Sequence, residues 1–290
     1  MKIKEIEVKD ILTKTNIPIG DFAINPYVGC SHGCKYCYAS FMKRFTGHTE
    51  PWGTFIDAKS WKSINKNKVI GKELFFGSVT DPYLPEEATY KRTRKVLEEL
   101  QGLDVEISIQ TKSDLVLRDI DLLKTFKHVR VGFSINTLDE SFKNDMDNAV
   151  SIKRRIDAMK KLHDEGILTT CFISPIFPGI TDVISIINEV KNCCNLIWLE
   201  NLNLRGDYKG RIMSYIKDKY SKLYPLYDDI YNKKNRNYWI KLNQEIEKYT
   251  KENNLSYVRN DDSNKYVKSD KPVVVNFFYH EEVKKNAKKE

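Results

Sequence analysis

Three stretches decide the fold: ELFFGSV at residues 73–79, VEISIQ at 105–110 and VRVGFSI at 129–135. Each is short and mostly apolar on both faces. A strand with one wet face alternates apolar and polar residues, whereas a strand covered by helices on both faces does not. These runs therefore predict a buried parallel sheet. Working outward, similar strands are predicted at 22–25, 168–173 and 196–200. Helical patterns fall between them at 38–45, 86–100, 115–126, 151–165 and 181–191. In the helix at 151–165, Ile156, Met159 and Leu162 recur three apart, which buries one face. Strands alternating with helices predict βα units with right-handed crossovers. Six such units predict an α/β fold of the partial (β/α)6 barrel kind, with a doubly wound open sheet as the structural alternative.

After Arg211 the alternation stops. Residues 211–219 and 238–253 predict Tyr- and Lys-rich helices, and VVVNFFY at 273–279 predicts a terminal strand. The expected organisation is an N-terminal segment (1–19), a core (20–210) and a C-terminal α-rich extension with a terminal strand (211–290). The 290 residues carry 48 Lys+Arg against 40 Asp+Glu, a net charge of +8. Residues 211–290 hold 18 basic and 12 acidic side chains, so +6 of the +8 lies there. Such an excess fits either a solubilising lysine-rich surface or a nucleic-acid footprint. No apolar run has the length of a membrane span, and MKIKEIEVKD lacks the apolar stretch of a secretory signal. A cytoplasmic protein without membrane association is expected.

Six cysteines in such a chain do not predict a disulfide scaffold. Three cluster in GCSHGCKYC as Cys30, Cys34 and Cys37, with glycines that allow a sharp turn. Iron–sulfur clusters usually take four Cys ligands. Three thiolates on one loop would leave one iron of a cubane open, and open metal sites serve substrate chemistry. A structural zinc completed by His32, a cluster with a distant fourth ligand such as Cys171, and ordinary buried thiols are the alternatives. In a parallel βα barrel, functional groups gather where strands end. The six strand ends carry the cysteine loop, TDPY at 80–83, TKS at 111–113, Ser134 with Asn136, SPIFPG at 174–179, and Asn201, Asn203 and Arg205.

With the spacing Cys30-x3-Cys34-x2-Cys37 and Tyr36 before the third cysteine, the sequence resembles the radical S-adenosylmethionine (SAM) superfamily. The wider context, NPYVGCSHGCKYCYA, GSVTDPYLPEE, QTKSDLVLRDIDLL, SINTLDES and SPIFPGITD, looks like the branch related to spore photoproduct lyase and the radical SAM mobile pair proteins. The likeness runs over residues 20–205. It implies a [4Fe–4S] cluster on Cys30, Cys34 and Cys37, with SAM on the open iron. It implies reductive cleavage of SAM to a 5′-deoxyadenosyl radical that abstracts hydrogen from an unidentified substrate, in a lyase- or transferase-like reaction. It also implies an electron donor such as flavodoxin or ferredoxin, a substrate that is nucleic acid or another macromolecule, and a partner radical SAM protein. The alternatives are a DNA-lesion repair lyase and a non-catalytic iron–sulfur or zinc module.

The resemblance places SAM contacts at Tyr36, Tyr38, Gly77, Thr80, Asp81, Lys112, Ser134 and Asn136. Asp81 is read as a partner for the SAM ammonium or as the cap of the following helix. Arg155 is read as pairing on the surface of its helix rather than reaching the cofactor carboxylate. Where spore photoproduct lyase carries a hydrogen-donating cysteine, this chain has Ser78. Cys171 is a substitute donor if its thiol faces the barrel interior, and otherwise inert core. Tyr83 is a candidate relay. His48, Trp52 and Trp61 are expected in a loop that covers the cluster or lines the substrate mouth.

Overall fold

Parallel strands form at all three stretches that decided the fold, and each is preceded or followed by helix. In the computed structural model, which describes residues 1–15, 20–258 and 271–277, the chain makes two compact units. The first holds Met1–Phe133 and Lys143–Thr169. Its strands are β1 (Lys2–Glu7), β2 (Leu12–Lys14), β3 (Phe22–Ile24), β4 (Tyr27–Val28), β5 (Phe55–Ser60), β6 (Lys72–Phe76), β7 (Val105–Thr111) and β8 (His128–Ser134), the last ending one residue into the second unit.

The main sheet of this unit runs β2-β3-β6-β7-β8. Only β2 is antiparallel; β3, β6, β7 and β8 are parallel, with Ile24 level with Phe76, Phe76 with Ile109, and Thr111 with Phe133. Leu74, Phe76, Val131 and Phe133 are fully buried, as a two-sided apolar strand requires. A second, three-stranded sheet, ordered β1-β5-β4, is absent from the sequence expectation. The helix Ile152–Asp164 starts at Ser151, whose hydroxyl accepts from Arg154 N, and buries Ile152, Arg155, Ala158, Met159 and Leu162 along one stripe. Three predicted helices break up. Residues 38–45 form a 3-10 stretch, Tyr38–Met42, before a single α turn, Lys43–Thr46. Residues 86–100 divide at Lys91 (φ 52°) into Glu87–Tyr90 and Arg92–Leu100. Residues 115–126 form a 3-10 turn, Asp114–Asp119, before a single α turn, Ile120–Leu123.

The second unit holds Ser134–Phe142 and the chain from Thr170 onward. It contains β9 (Leu168–Ile176, beginning two residues earlier), β10 (Leu196–Asn201), β11 (Ser256–Val258) and β12 (Val273–Asn276), all parallel and ordered β9-β10-β12-β11. The C-terminal region is thus helical, through Asp207–Lys219, Tyr224–Tyr231 and Asn237–Glu252, but contributes two strands rather than one. The predicted terminal strand is found at Val273–Asn276; its last two residues, 278–279, and the lysine-rich end at 284–289 lie outside the described residues. Among the described residues no helix is long and apolar enough to cross a membrane.

Candidate functional site

The cysteine loop leaves the main sheet after β3 and returns past Tyr38. Gly29 begins the turn at φ 84°, and a Cβ there would sit 2.2 Å from the Phe55 carbonyl oxygen, so only glycine fits. The loop closes on itself through Gly33 N to Cys30 O (3.1 Å) and Cys37 N to Cys34 O (3.1 Å). Two other segments of the same unit pin it. On one side, Lys35 N donates to Met146 O and Asn148 N donates to His32 O. On the other, the Thr80 hydroxyl donates to Gly29 O at 2.5 Å and Ser31 donates to Glu86 at 2.8 Å.

Asp81 is the hub. One carboxylate oxygen accepts from Tyr83 N (2.9 Å) and the Thr111 hydroxyl (2.7 Å). The other accepts from Lys112 N (2.7 Å) and faces His32 Nε2 at 3.1 Å. Four partners occupy the roughly four lone-pair sites of a carboxylate. Asp81 therefore neither caps the helix Glu87–Tyr90 nor keeps a lone pair for a ligand ammonium; it ties the cysteine loop to the ends of β6 and β7. Burial alone would raise its pKa, but His32 and Thr111 outweigh burial and hold it at about 2. The short approach of β6 to β7 is set by Gly77 (φ 98°), where a Cβ would lie 2.4 Å from Gln110 O; this turn also ends β6 three residues before the expected limit.

Cys30 and Cys34 are buried and Cys37 is half-buried. Burial pushes the Cys34 thiol up to about 12 while Lys112 pulls the other way. Burial, then the neighbouring thiols and Asp81, pushes Cys30 well above the ordinary thiol value. Cys37 is also raised by burial, against the opposing pull of the Ala39 backbone N–H and the Lys112 ammonium. Burial would lower the Lys112 ammonium, but Cys34 and Asp147 more than compensate. Lys112 Nζ lies 5.8 Å from the Tyr36 ring centre, and the Tyr36 hydroxyl donates to Asp147 at 3.3 Å. Arg155 completes this corner. Instead of pairing at the surface, it is fully buried and holds Asp147 at 2.8 Å, because it occupies the buried stripe between Ile152 and Met159.

The donor set fits an iron–sulfur cluster: three soft thiols on one loop, mutually close enough to raise one another's pKa, with cationic Lys112 and Arg155 beside them. Among the described residues no three His, Cys, Asp or Glu side chains group closely enough to hold a single metal ion. A cubane does not need that, since its thiolates bind different irons.

The other predicted residues are placed as follows. Tyr38 is exposed, and its hydroxyl donates to the Ser78 carbonyl. Tyr83 is fully buried, its pKa raised by burial and by Asp119 and Glu87, within an ion network that includes Arg118 and Arg94. The Tyr83 hydroxyl is buried without a hydrogen-bond partner among the described residues, so the relay reading finds no exposed hydroxyl. Ser134, Asn136 and Cys171 belong to the second unit. Asn136 Nδ2 is buried without a partner among the described residues. Cys171 is fully buried beside Cys193 and Cys194, which follow the helix Val183–Val190, so its thiol faces the helix layer and behaves as core. His48 bridges Glu50 (3.0 Å) and Asp57 (2.9 Å) and stacks on Phe55, a structural post for the 48–55 loop. Sequence reasoning missed Asp147, Glu86 and the contact of His32 with Asp81. The buried stripe spacing alone could have flagged Arg155.

A sequence model of the radical SAM superfamily matches residues 24–187. An uncharacterised protein of Methanocaldococcus jannaschii is 38% identical over 228 residues, covering 78% of this chain and 86% of that protein. A radical SAM Nalpha-GlyT isomerase of Pseudomonas phage M6 is 29% identical over 161 residues, 53% of this chain and 33% of the isomerase. Among solved structures, spore photoproduct lyase with bound AdoMet and dinucleoside spore photoproduct aligns with a TM-score of 0.53 at 17% identity. That alignment covers 73% of this chain and 64% of the lyase, and the likeness is one of fold: the α/β partial barrel.

Proposed function

The chain belongs to the radical SAM superfamily, whose cofactors are a [4Fe–4S] cluster and SAM, and we propose that Cys30, Cys34 and Cys37 hold that cluster in an enzyme acting on a substrate larger than a free metabolite. When bound, the two cofactors supply one-electron cleavage of the sulfonium and a 5′-deoxyadenosyl radical that takes a hydrogen atom from substrate. The chain supplies position and shielding. The loop presents three thiols from a backbone fixed by Gly29, Thr80 and Asn148. Lys112, half-buried beside Cys34, is suited to the SAM carboxylate as a flexible cation. Asp81 is a positioning residue that fixes Lys112 through its backbone N–H. Gly77, Tyr36 and Tyr38 are proposed to frame SAM, while Ser134 and Asn136 are proposed as contacts on the sequence resemblance, Asn136 with an amide donor to spare.

The observation that carries this reading is the gathering of three free thiols, two of them buried, on one loop beside Lys112. An external one-electron donor of the flavodoxin or ferredoxin type is part of the proposal. Repair of the spore-photoproduct kind is not favoured, because Ser78 offers an O–H where a readily abstracted S–H would be needed. Anaerobic reconstitution, followed by SAM and dithionite, is expected to yield 5′-deoxyadenosine. A yield no higher than that of the Cys34→Ala variant would remove the enzyme reading.

A further inference from the structure

A cavity of about 320 Å³ opens in the first unit against both flanks of the cysteine loop, touching Gly29 before Cys30 and Tyr38 after Cys37. That volume is in the range of small-ligand sites. Its polar lining is cationic and neutral: Lys14, Lys59, Asn25 and Ser78 contribute, and no carboxylate does. Neither lysine ammonium has an ion-pair partner among the described residues. Burial holds Lys59 below the ordinary lysine value, against the opposing pull of Asp57, so an anion beside it would be stabilising. Asn25 donates to Ser78 Oγ (2.8 Å) and accepts from Val79 N (3.1 Å). The Ser78 O–H proton is left to be donated into the cavity.

The apolar lining continues outward as a strip of aromatic rings. Tyr38 stacks on Phe41 (6.3 Å, 24°), and Phe41 meets Phe45 edge-on at 6.1 Å. These rings are 54%, 42% and 75% exposed, an unusual use of aromatic surface with no core to join. An aromatic ligand held by cations in a pocket, with further rings spaced outward at about the separation of successive bases, describes a single-stranded polynucleotide. The geometry points to this cavity as the site for one nucleotide of a single strand, with neighbouring bases on Phe41 and Phe45 and phosphates at Lys14 and Lys59. This deepens the enzyme reading and rests on it, since it names the substrate class presented beside the cysteine loop.

The test uses anaerobically reconstituted protein and fluorescence anisotropy of fluorescein-labelled single-stranded DNA and RNA of about ten nucleotides, a length within the usual site size. A labelled mononucleotide forms a separate arm. Salt-sensitive oligomer binding is expected. Lys14→Ala with Lys59→Met should weaken it tenfold or more and make the salt slope shallower by about 1.4, the value for two single-strand phosphate contacts. Phe45→Ala, at a ring too exposed to hold the fold, should weaken binding about fivefold or more. It keeps the test valid should the Lys59 variant fail to fold. Absence of oligomer binding, or unchanged affinity in the variants, overturns the proposal. A mononucleotide bound as tightly as the oligomer overturns the strand in favour of a free nucleotide. Formation of 5′-deoxyadenosine is measured in the same wild-type sample. If it forms and no oligomer binds, only the cavity proposal falls; if oligomer binds and none forms, only the enzyme reading falls.

Discussion

Asp81→Asn removes one charge and reverses half of a buried hydrogen-bond set without changing side-chain volume. All four partners of Asp81 are donors or face it as one: Tyr83 N, Thr111 Oγ1, Lys112 N and His32 Nε2. An asparagine oxygen can serve two of them, and its amide N–H₂ then confronts the other two. The charge contribution alone follows from linkage. A carboxyl held at about 2 in the fold against 3.8 in the free state stabilises by roughly 2.4 kcal/mol at neutral pH. Leaving buried donors unsatisfied adds about 1–3 kcal/mol. We expect the variant to lose roughly 3–5 kcal/mol in urea denaturation of the apo protein at pH 7. Because the folded pKa is depressed, this stabilisation is complete above the unfolded value and is lost as pH falls toward 2. The charge part of the difference should therefore fall to about half at pH 3. A loss below about 1 kcal/mol at pH 7, or a difference that grows on acidification, would refute the hub assignment.

Three further outcomes are expected. Gly29→Ala forces a Cβ into the Phe55 carbonyl at a positive φ and should cost about 2 kcal/mol or more, with iron loading reduced in parallel by colorimetric assay. Arg155→Met leaves Asp147 buried without its guanidinium and should cost about 3–5 kcal/mol, partly restored by adding Asp147→Asn, as read by denaturant midpoints. Trp52→Phe deletes a buried indole N–H that has no hydrogen-bond partner among the described residues, so it should cost no more than about 1–2 kcal/mol for the smaller ring; a larger loss in urea denaturation would count against that.

Strands β3, β6, β7, β8, β9 and β10 were legible because two-sided burial leaves a mark in composition that needs no partner to read. The sheet of β1, β5 and β4 was not. KIKEIE at Lys2–Glu7 is almost wholly exposed, so its charged residues hide a strand that depends on β5 for pairing. β11, at three residues, is too short to show a period. Within the site, the cysteine spacing was local and therefore visible. Asp147 was not, since its bond to Tyr36 spans 111 residues and nothing near position 147 in the sequence marks it. Arg155 was misjudged because helix arginines usually face water, although its place in the stripe from Ile152 to Leu162 put it inside.

The proposed chemistry requires three sulfurs holding a cubane with one iron open to SAM. Low-temperature electron paramagnetic resonance on the anaerobically reconstituted, dithionite-reduced protein tests it directly. About four irons per chain are expected, with a reduced-cluster signal that changes when SAM is added, both lost in Cys34→Ala. A colourless protein with stoichiometric zinc, or a cluster signal indifferent to SAM, would contradict it.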